Sequence, residues 1–265
     1  MHQLPIYQID AFTNKIFGGN PAAVCPLEEW LPEAVMQAIA AENNLAETAF
    51  FVPKGREFEI RWFTPEVEVD LCGHATLAAA YVVLNELGCP DDYVHFHSKS
   101  GLLKVYRKND LLLELDFPSR PPRPAEYPPE LISGLGAVPQ YILRSRDYVC
   151  VYETAEEVVA LKPHFEELAK LDVLGIIATA PGTDADFVSR FFAPSAGINE
   201  DPVTGSAHST LIPYWADRLG KHKMFARQIS KRGGELFCEL HGERVRIGGY
   251  AALYLKGEIL LPKER

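Results

Sequence analysis

Apolar residues alternate with polar ones over short stretches along most of this chain, and twice they crowd into a run led by a glycine. Residues 6–12 alternate as a strand and give way to Phe17-Gly18-Gly19-Asn20-Pro21, which reads as a loop. Residues 31–42 carry apolar positions at helical spacing (Val35, Ile39, Ala40). Two stretches rich in aromatic and β-branched residues, 47–52 and 58–63, read as strands. Residues 75–87 are apolar nearly all round and stop at Gly88. A helix without a polar face must be enclosed. Strands follow at 102–107 and 111–116, then at 141–143 and 148–152. A helix within 164–171 and strands at 174–180 and 187–192 lead to a second central helix, 206–219, closed by Gly220. Pro213 lies inside it and is expected to bend it or cost it a bond. Short strands at 236–240, 245–247, 251–255 and 258–261 complete the pattern.

The two glycine-led runs belong to a repeat. Arg61-Trp62-Phe63-Thr64-Pro65 is answered by Arg190-Phe191-Phe192-Ala193-Pro194, and each is followed by an acidic turn ending in Asp70 or Asp201. Cys72-Gly73-His74-Ala75 then opens the first helix and Thr204-Gly205-Ser206-Ala207 the second. A strand, a turn, a glycine and a helix repeated once imply two similar half-structures. If the halves face each other, small polar groups at two helix N-termini would suit an anionic small molecule. Between the copies, Pro118, Pro121, Pro122, Pro124, Pro128 and Pro129 predict an extended connector, since proline neither donates to a ladder nor favours helix. The expected architecture is α+β, with two pseudo-symmetric domains. Each is a curved, mostly antiparallel sheet or barrel wrapped around one central helix. Residues 1–117 form the first domain, joined by a tail at about 256–265, and residues 118–255 form the second.

Composition narrows the function. The net charge of −10 argues against nucleic acid or an anionic membrane as a partner, since both call for a basic surface. No stretch approaches the ~18–20 apolar residues of a membrane span. The start of the sequence lacks the basic and apolar regions of a signal peptide. Five scattered cysteines without a CxxC pair fit a reducing compartment, so a cytoplasmic location is expected. His95 and His97 alternate on one strand, but no acidic or cysteine partner stands at a recognisable ligand spacing, so cross-strand or surface packing is expected and no metal. Neither a GxGxxG nor a P-loop is present, so no nucleotide cofactor is indicated.

Four ordered motifs carry a family resemblance: Gly19-Asn20-Pro21-Ala22-Ala23-Val24, Asn44-Leu45-Ala46-Glu47-Thr48-Ala49-Phe50, Cys72-Gly73-His74-Ala75-Thr76, and Glu200-Asp201-Pro202-Val203-Thr204-Gly205-Ser206-Ala207-His208. Together they resemble the PhzF family of phenazine-biosynthesis-like isomerases, which have the diaminopimelate epimerase fold. The likeness extends to Arg232-Gly233-Gly234 and Ile247-Gly248-Gly249. It implies an active site in the cleft between the halves, no cofactor, a homodimer and a small carboxylate-bearing substrate. It further implies that Glu47 moves a proton between carbons, with His74 and Asp201 as the other catalytic residues. Asn20, Gly73, Gly205 and Ser206 would bind substrate.

The residues themselves leave room for simpler roles. Glu47 could be a strand-edge carboxylate pointing into water, although in a closed site desolvation would raise its pKa. His74, at a helix start whose dipole disfavours imidazolium, is expected to be neutral, yet it could serve only a loop. Asp201 and Ser206 could be capping residues, and the glycines plain turn formers. Amino-acid epimerases of this fold place a cysteine before each glycine; here the pair is Cys72 and Thr204. An unassisted hydroxyl is neither acid nor base at neutral pH, so two-thiol racemisation is disfavoured and Cys72 reads as inert packing. An amino-acid racemase or epimerase of the same fold, and a binding protein that has kept the fold, remain the alternatives.

Overall fold

The computed structural model describes residues 2–109 and 111–262. The chain divides into two compact units, Met1–Asp116 with Gly248–Arg265, and Phe117–Ile247.

The first unit contains β1 (His2–Ala11), β2 (Asn20–Pro26), α1 (Glu33–Asn43), β3 (Glu47–Lys54), β4 (Glu57–Phe63) and β5 (Glu68–Val69). It continues with α2 (Gly73–Tyr81), β6 (Tyr93–Ser98), β7 (Gly101–Arg107) and β8 (Leu112–Pro118). The last strand of the chain, β17 (Arg244–Leu261), runs into this unit and pairs with β1 from His2↔Leu261 to Ala11↔Ala251. Pairings run β1–β2 antiparallel, β2–β3 parallel, β3–β4 antiparallel, β4–β6 parallel, then β6–β7 and β7–β8 antiparallel. Because β8 also pairs with β17, the sheet closes as a barrel. Every residue of α2 is buried, and the helix packs on β1, β2 and β3. Its apolar composition leaves no face that could meet water. Full burial of a side chain such as Leu77 contributes about 1.5–3 kcal/mol. Past Tyr81 the helix widens for one turn, with Leu87 N–H donating to Val82 O at 3.0 Å, before Gly88 ends it in a left-handed conformation.

The second unit holds β9 (Arg123–Pro124), α3 (Pro129–Leu135), β10 (Tyr141–Arg144), β11 (Tyr148–Val151), α4 (Ala155–Ala160) and α5 (Phe165–Leu168). After these come β12 (Ile176–Pro181), β13 (Phe187–Ala193), β14 (Ile198–Asp201), α6 (Gly205–Leu219), β15 (Lys223–Gln228) and β16 (Gly234–His241). Its pairings repeat those of the first unit in kind and order: β10–β11 antiparallel, β11–β12 parallel, β12–β13 antiparallel, β13–β15 parallel and β15–β16 antiparallel. The repeat therefore covers most of each half. The α+β class and the pseudo-symmetric halves, each with one buried central helix, are as the sequence implies.

Several elements escaped the sequence pattern. In β2, Asn20–Pro26, small residues dominate, and β1 and β3 flank it on both edges, so its burial is nearly continuous and no alternation shows. Residues read as separate strands near the C-terminus form one strand, β17, because Gly249 inside it is not a break. A Cβ there would stand 2.3 Å from the Phe12 ring, so the glycine serves a close approach. Pro213 leaves α6 continuous. It has no N–H for the Ser209 carbonyl, and the amide of Arg120, in the proline-rich connector, donates to that carbonyl instead at 2.9 Å.

Candidate active site

In the first unit, β2 begins at Asn20, β3 begins at Glu47, and α2 begins at Gly73 behind its cap residue Cys72. Ala22 pairs with Glu47 across β2–β3. These starts bring Asn20, Glu47, Cys72, Gly73 and His74 together. The Asn20 amide lies 3.1 Å from His74 Nδ1, and the Cys72 thiol 3.4 Å from the same nitrogen. On the other side of the ring, Nε2 stands 3.1 Å from Glu47 Oε2. That approach makes a charge pair, but the two atoms are poorly aligned for a hydrogen bond, and neither has another hydrogen-bond partner among the described residues. The His74 and Glu47 side chains are 5% and 12% exposed, so both atoms wait where water is scarce.

Burial works against a charge on His74. Cys72 and Glu47, both beside the ring, raise its pKa, and His74 titrates well above an ordinary histidine. Burial, with Glu47 beside it, pushes the Cys72 thiol up to about 11, so Cys72 is protonated at neutral pH. The neutral ring expected from the helix dipole is thus countered by a nearer full charge. The Asn20 amide can serve either form, offering its NH₂ to a neutral Nδ1 or, turned over, its oxygen to Nδ1–H.

In the second unit, the Thr204 hydroxyl donates to Asp201 Oδ2 at 2.5 Å. Gln228 braces the pair: its Oε1 accepts from Thr204 N–H at 2.8 Å, and its Nε2 donates to Asp201 O and to Thr204 Oγ1 at 2.8 and 3.1 Å. Thr204 caps α6 in extended conformation, followed by Gly205 and Ser206. Ser206 Oγ accepts from Arg146 Nη2 at 3.2 Å, and Arg146 also forks onto the buried carboxylate of Asp147. Ser206 is therefore not the cap of α6. Arg146, Asp147 and Gln228 went unnoticed in the sequence, where the only signal was a charged turn between two short strands. His208, one turn into α6, is fully buried, with Nδ1 on Thr204 O at 2.9 Å and, among the described residues, no hydrogen-bond partner for Nε2.

Strand registers let the two copies be matched residue by residue. Arg61 pairs with Phe50 and Arg190 with Ala178, so Glu47 corresponds to Gly175. The second copy has no acid there: a Cβ on Gly175 would stand 2.1 Å from the ring of Phe191, the counterpart of Trp62. Val69 faces Trp62 and Asp201 faces Phe191, so Asp201 matches Val69, not the Asp70 that ends the first acidic turn. The one-residue slip matters because it turns a side chain to the other face. Asp70 is exposed and Asp201 is buried. Both repeated arginines are structural. Arg61 forks onto Glu68 and lies over Phe63, while Arg190 forks onto Glu200 and lies over Phe192. His95 and His97 both meet the carboxylate of Glu57 across the β4–β6 pairing, an acidic partner that spacing alone concealed.

Comparison with known proteins agrees with this geometry. Residues 9–257 match the family described as phenazine biosynthesis-like protein, PhzC-PhzF. A Pseudomonas aeruginosa protein named as an uncharacterized isomerase is 52% identical, over 98% of this chain and 99% of its own. The crystal structure of a PhzF-family protein from Enterococcus faecalis superposes with a TM-score of 0.95 at 49% identity, covering 98% of this chain and all of that one. A hydroxyproline epimerase from Agrobacterium vitis shares the fold alone, with a TM-score of 0.59 at 12% identity over 98% of this chain and 91% of that one. Sequence and fold together place the chain in the phenazine biosynthesis-like (PhzF) family.

Proposed function

We propose that this chain is a cofactor-independent isomerase that moves a proton between two carbons of a small, carboxylate-bearing substrate. Glu47 is the proton carrier. The observation that carries this reading is the buried Glu47–His74 pair, whose facing atoms lie 3.1 Å apart and lack aligned partners. A buried polar atom without a hydrogen bond costs about 1–3 kcal/mol, a cost that a bound substrate would relieve.

In this scheme the Glu47 carboxylate takes a proton from an activated C–H, and the electron pair left behind delocalises toward the substrate carboxylate. The positive His74 ring stabilises that charge as it develops. Glu47, now the neutral acid, returns its proton to a second carbon, so nothing is gained or lost. Asn20, the amide of Gly73, Gly205 and Ser206 are assigned to substrate binding, with Asp201 assigned to orient the substrate or accept a proton. A two-base racemase is disfavoured by the asymmetry of the copies. Glu47 has Gly175 as its counterpart, and Cys72 has Thr204, whose hydroxyl is committed to Asp201.

The test begins with cyclic and aromatic-precursor carboxylates screened in heavy water for exchange of a carbon-bound proton. On a substrate so found, Glu47→Gln should lower the exchange rate by ~10² to 10⁴ or more, the usual share of general acid–base catalysis. Ligand affinity by calorimetry should change far less, because the binding groups remain. Undiminished exchange in the Gln variant would remove Glu47 from this role.

A further inference from the structure

The same cluster has a second chemical capacity that proton transfer does not use. One ligand atom each from Glu47, Cys72 and His74 lies within 4.8 Å of the other two. Carboxylate, thiol and imidazole are the donors that zinc takes in proteins, and tetrahedral bonds of about 2.0–2.3 Å set such atoms roughly 3.5 Å apart. A contraction of an ångström or so would close the set on an ion. The thiol stands 3.4 Å from Nδ1 of the ring and the carboxylate 3.1 Å from Nε2, so one of the two must swing toward the nitrogen that binds the ion. His74 Nε2, in a side chain only 5% exposed, has no aligned partner.

We propose that Glu47, Cys72 and one imidazole nitrogen of His74 form a binding site for a zinc-type divalent cation, and that filling it stops the proton transfer assigned to Glu47. Charge permits the bound state. The cation displaces the thiol proton and the imidazolium proton to solvent, and M²⁺ with one thiolate, one carboxylate and a neutral imidazole leaves a buried cluster of zero net charge, as it was before binding. A fourth position stays open for water or a substrate oxygen. Thiolate selects zinc, cobalt or cadmium over magnesium and calcium, which prefer all-oxygen sites. Among the five cysteines Cys72 alone stands in a donor cluster of this kind among the described residues.

The shut-off rests on the functional reading above; the site does not. The test titrates Co²⁺ into the full-length, chelator-treated protein and follows the thiolate-to-cobalt absorption in the near ultraviolet. A single equivalent should produce the band, Zn²⁺ should displace it and Mg²⁺ should not. Cys72→Ala, Cys72→Ser and Glu47→Gln should each weaken cobalt binding by at least about tenfold, with unchanged circular dichroism as the fold control. Absence of the band, or its survival in both Cys72 variants, overturns the site. Proton exchange that continues in the wild type at saturating zinc, with the band formed, overturns the shut-off. If Glu47→Gln leaves exchange intact, the functional reading fails, while the cobalt band still decides the site.

Discussion

Cys72 and Thr204 stand at the same place in the two copies and keep different company, a thiol beside an imidazole and a hydroxyl donating to a carboxylate. Cys72 is held as a thiol by burial, so it contributes no base at neutral pH. Cys72→Ala should therefore lower turnover by no more than about tenfold, ~1.4 kcal/mol in barrier, measured on the substrate found by exchange screening. A loss of several orders of magnitude in a folded variant would bring back a thiol mechanism. His208 offers a separate test through stability. Burial lowers its pKa to about 4, against 6.5 for an exposed histidine. Between those values the unfolded chain binds the extra proton, so stability is whole above pH 6.5 and falls as the pH drops toward 4. The full loss is about 3 kcal/mol, from 1.36 kcal/mol per pKa unit. Urea unfolding across that range should show it, and His208→Asn, which keeps a donor toward the Thr204 carbonyl, should flatten it. At this scale the sequence is legible through its motifs: the segments that carry the family resemblance contain Asn20, Glu47, Cys72 and His74, which the fold brings side by side. Arg146, Asp147 and Gln228 are not legible in this way, because their roles come from a fork onto a buried acid and a brace across strands, neither of which leaves a local pattern.

Among elements, β12 and β13 show how the second copy has committed itself to packing. The ring of Phe191 fills the space over Gly175 where the first copy carries Glu47. Gly175→Ala should destabilise the protein by roughly 1–3 kcal/mol through overpacking, and combination with Phe191→Ala should recover part of that loss in a double-mutant cycle. Simple additivity of the two changes would mean that the ring and the glycine do not share that space. A smaller test lies at α4, where Thr154 accepts from Glu157 N–H while Glu157 reaches back to the Thr154 amide. Thr154→Ala should cost about 1 kcal/mol in chemical denaturation. The central helices were legible because an all-round apolar run has one physical solution. β2 was hidden by enclosure on both edges, and β15 by a buried face built from Met224, Ala226 and Gln228, only one of which is strongly apolar.

For the molecule as a whole, the repeat was read from a few residues around Arg61 and Arg190, yet the pairing pattern extends it across nearly all strands. Strand order of this kind is invisible in the sequence because parallel pairs join segments far apart and leave no turn between them. The closure of the first unit by β17 was also hidden, since glycines broke that strand into pieces on paper. Removing Gly248–Arg265 should leave the β1 edge unpaired and the barrel open, so the shortened chain should lose the cooperative melting of the first unit, followed by hydrogen exchange in β1 and β3. The same closure has a consequence for birth on the ribosome. β1 emerges first and its partner β17 last, whereas Phe117–Ile247 leaves the tunnel as one uninterrupted piece. At about 5–20 residues per second, the opening strand waits roughly ten seconds to most of a minute for its mate. The half of the protein made second is the one able to fold first, and the nascent β1, with β2 on one edge, meanwhile leaves the edge meant for β17 open to strangers.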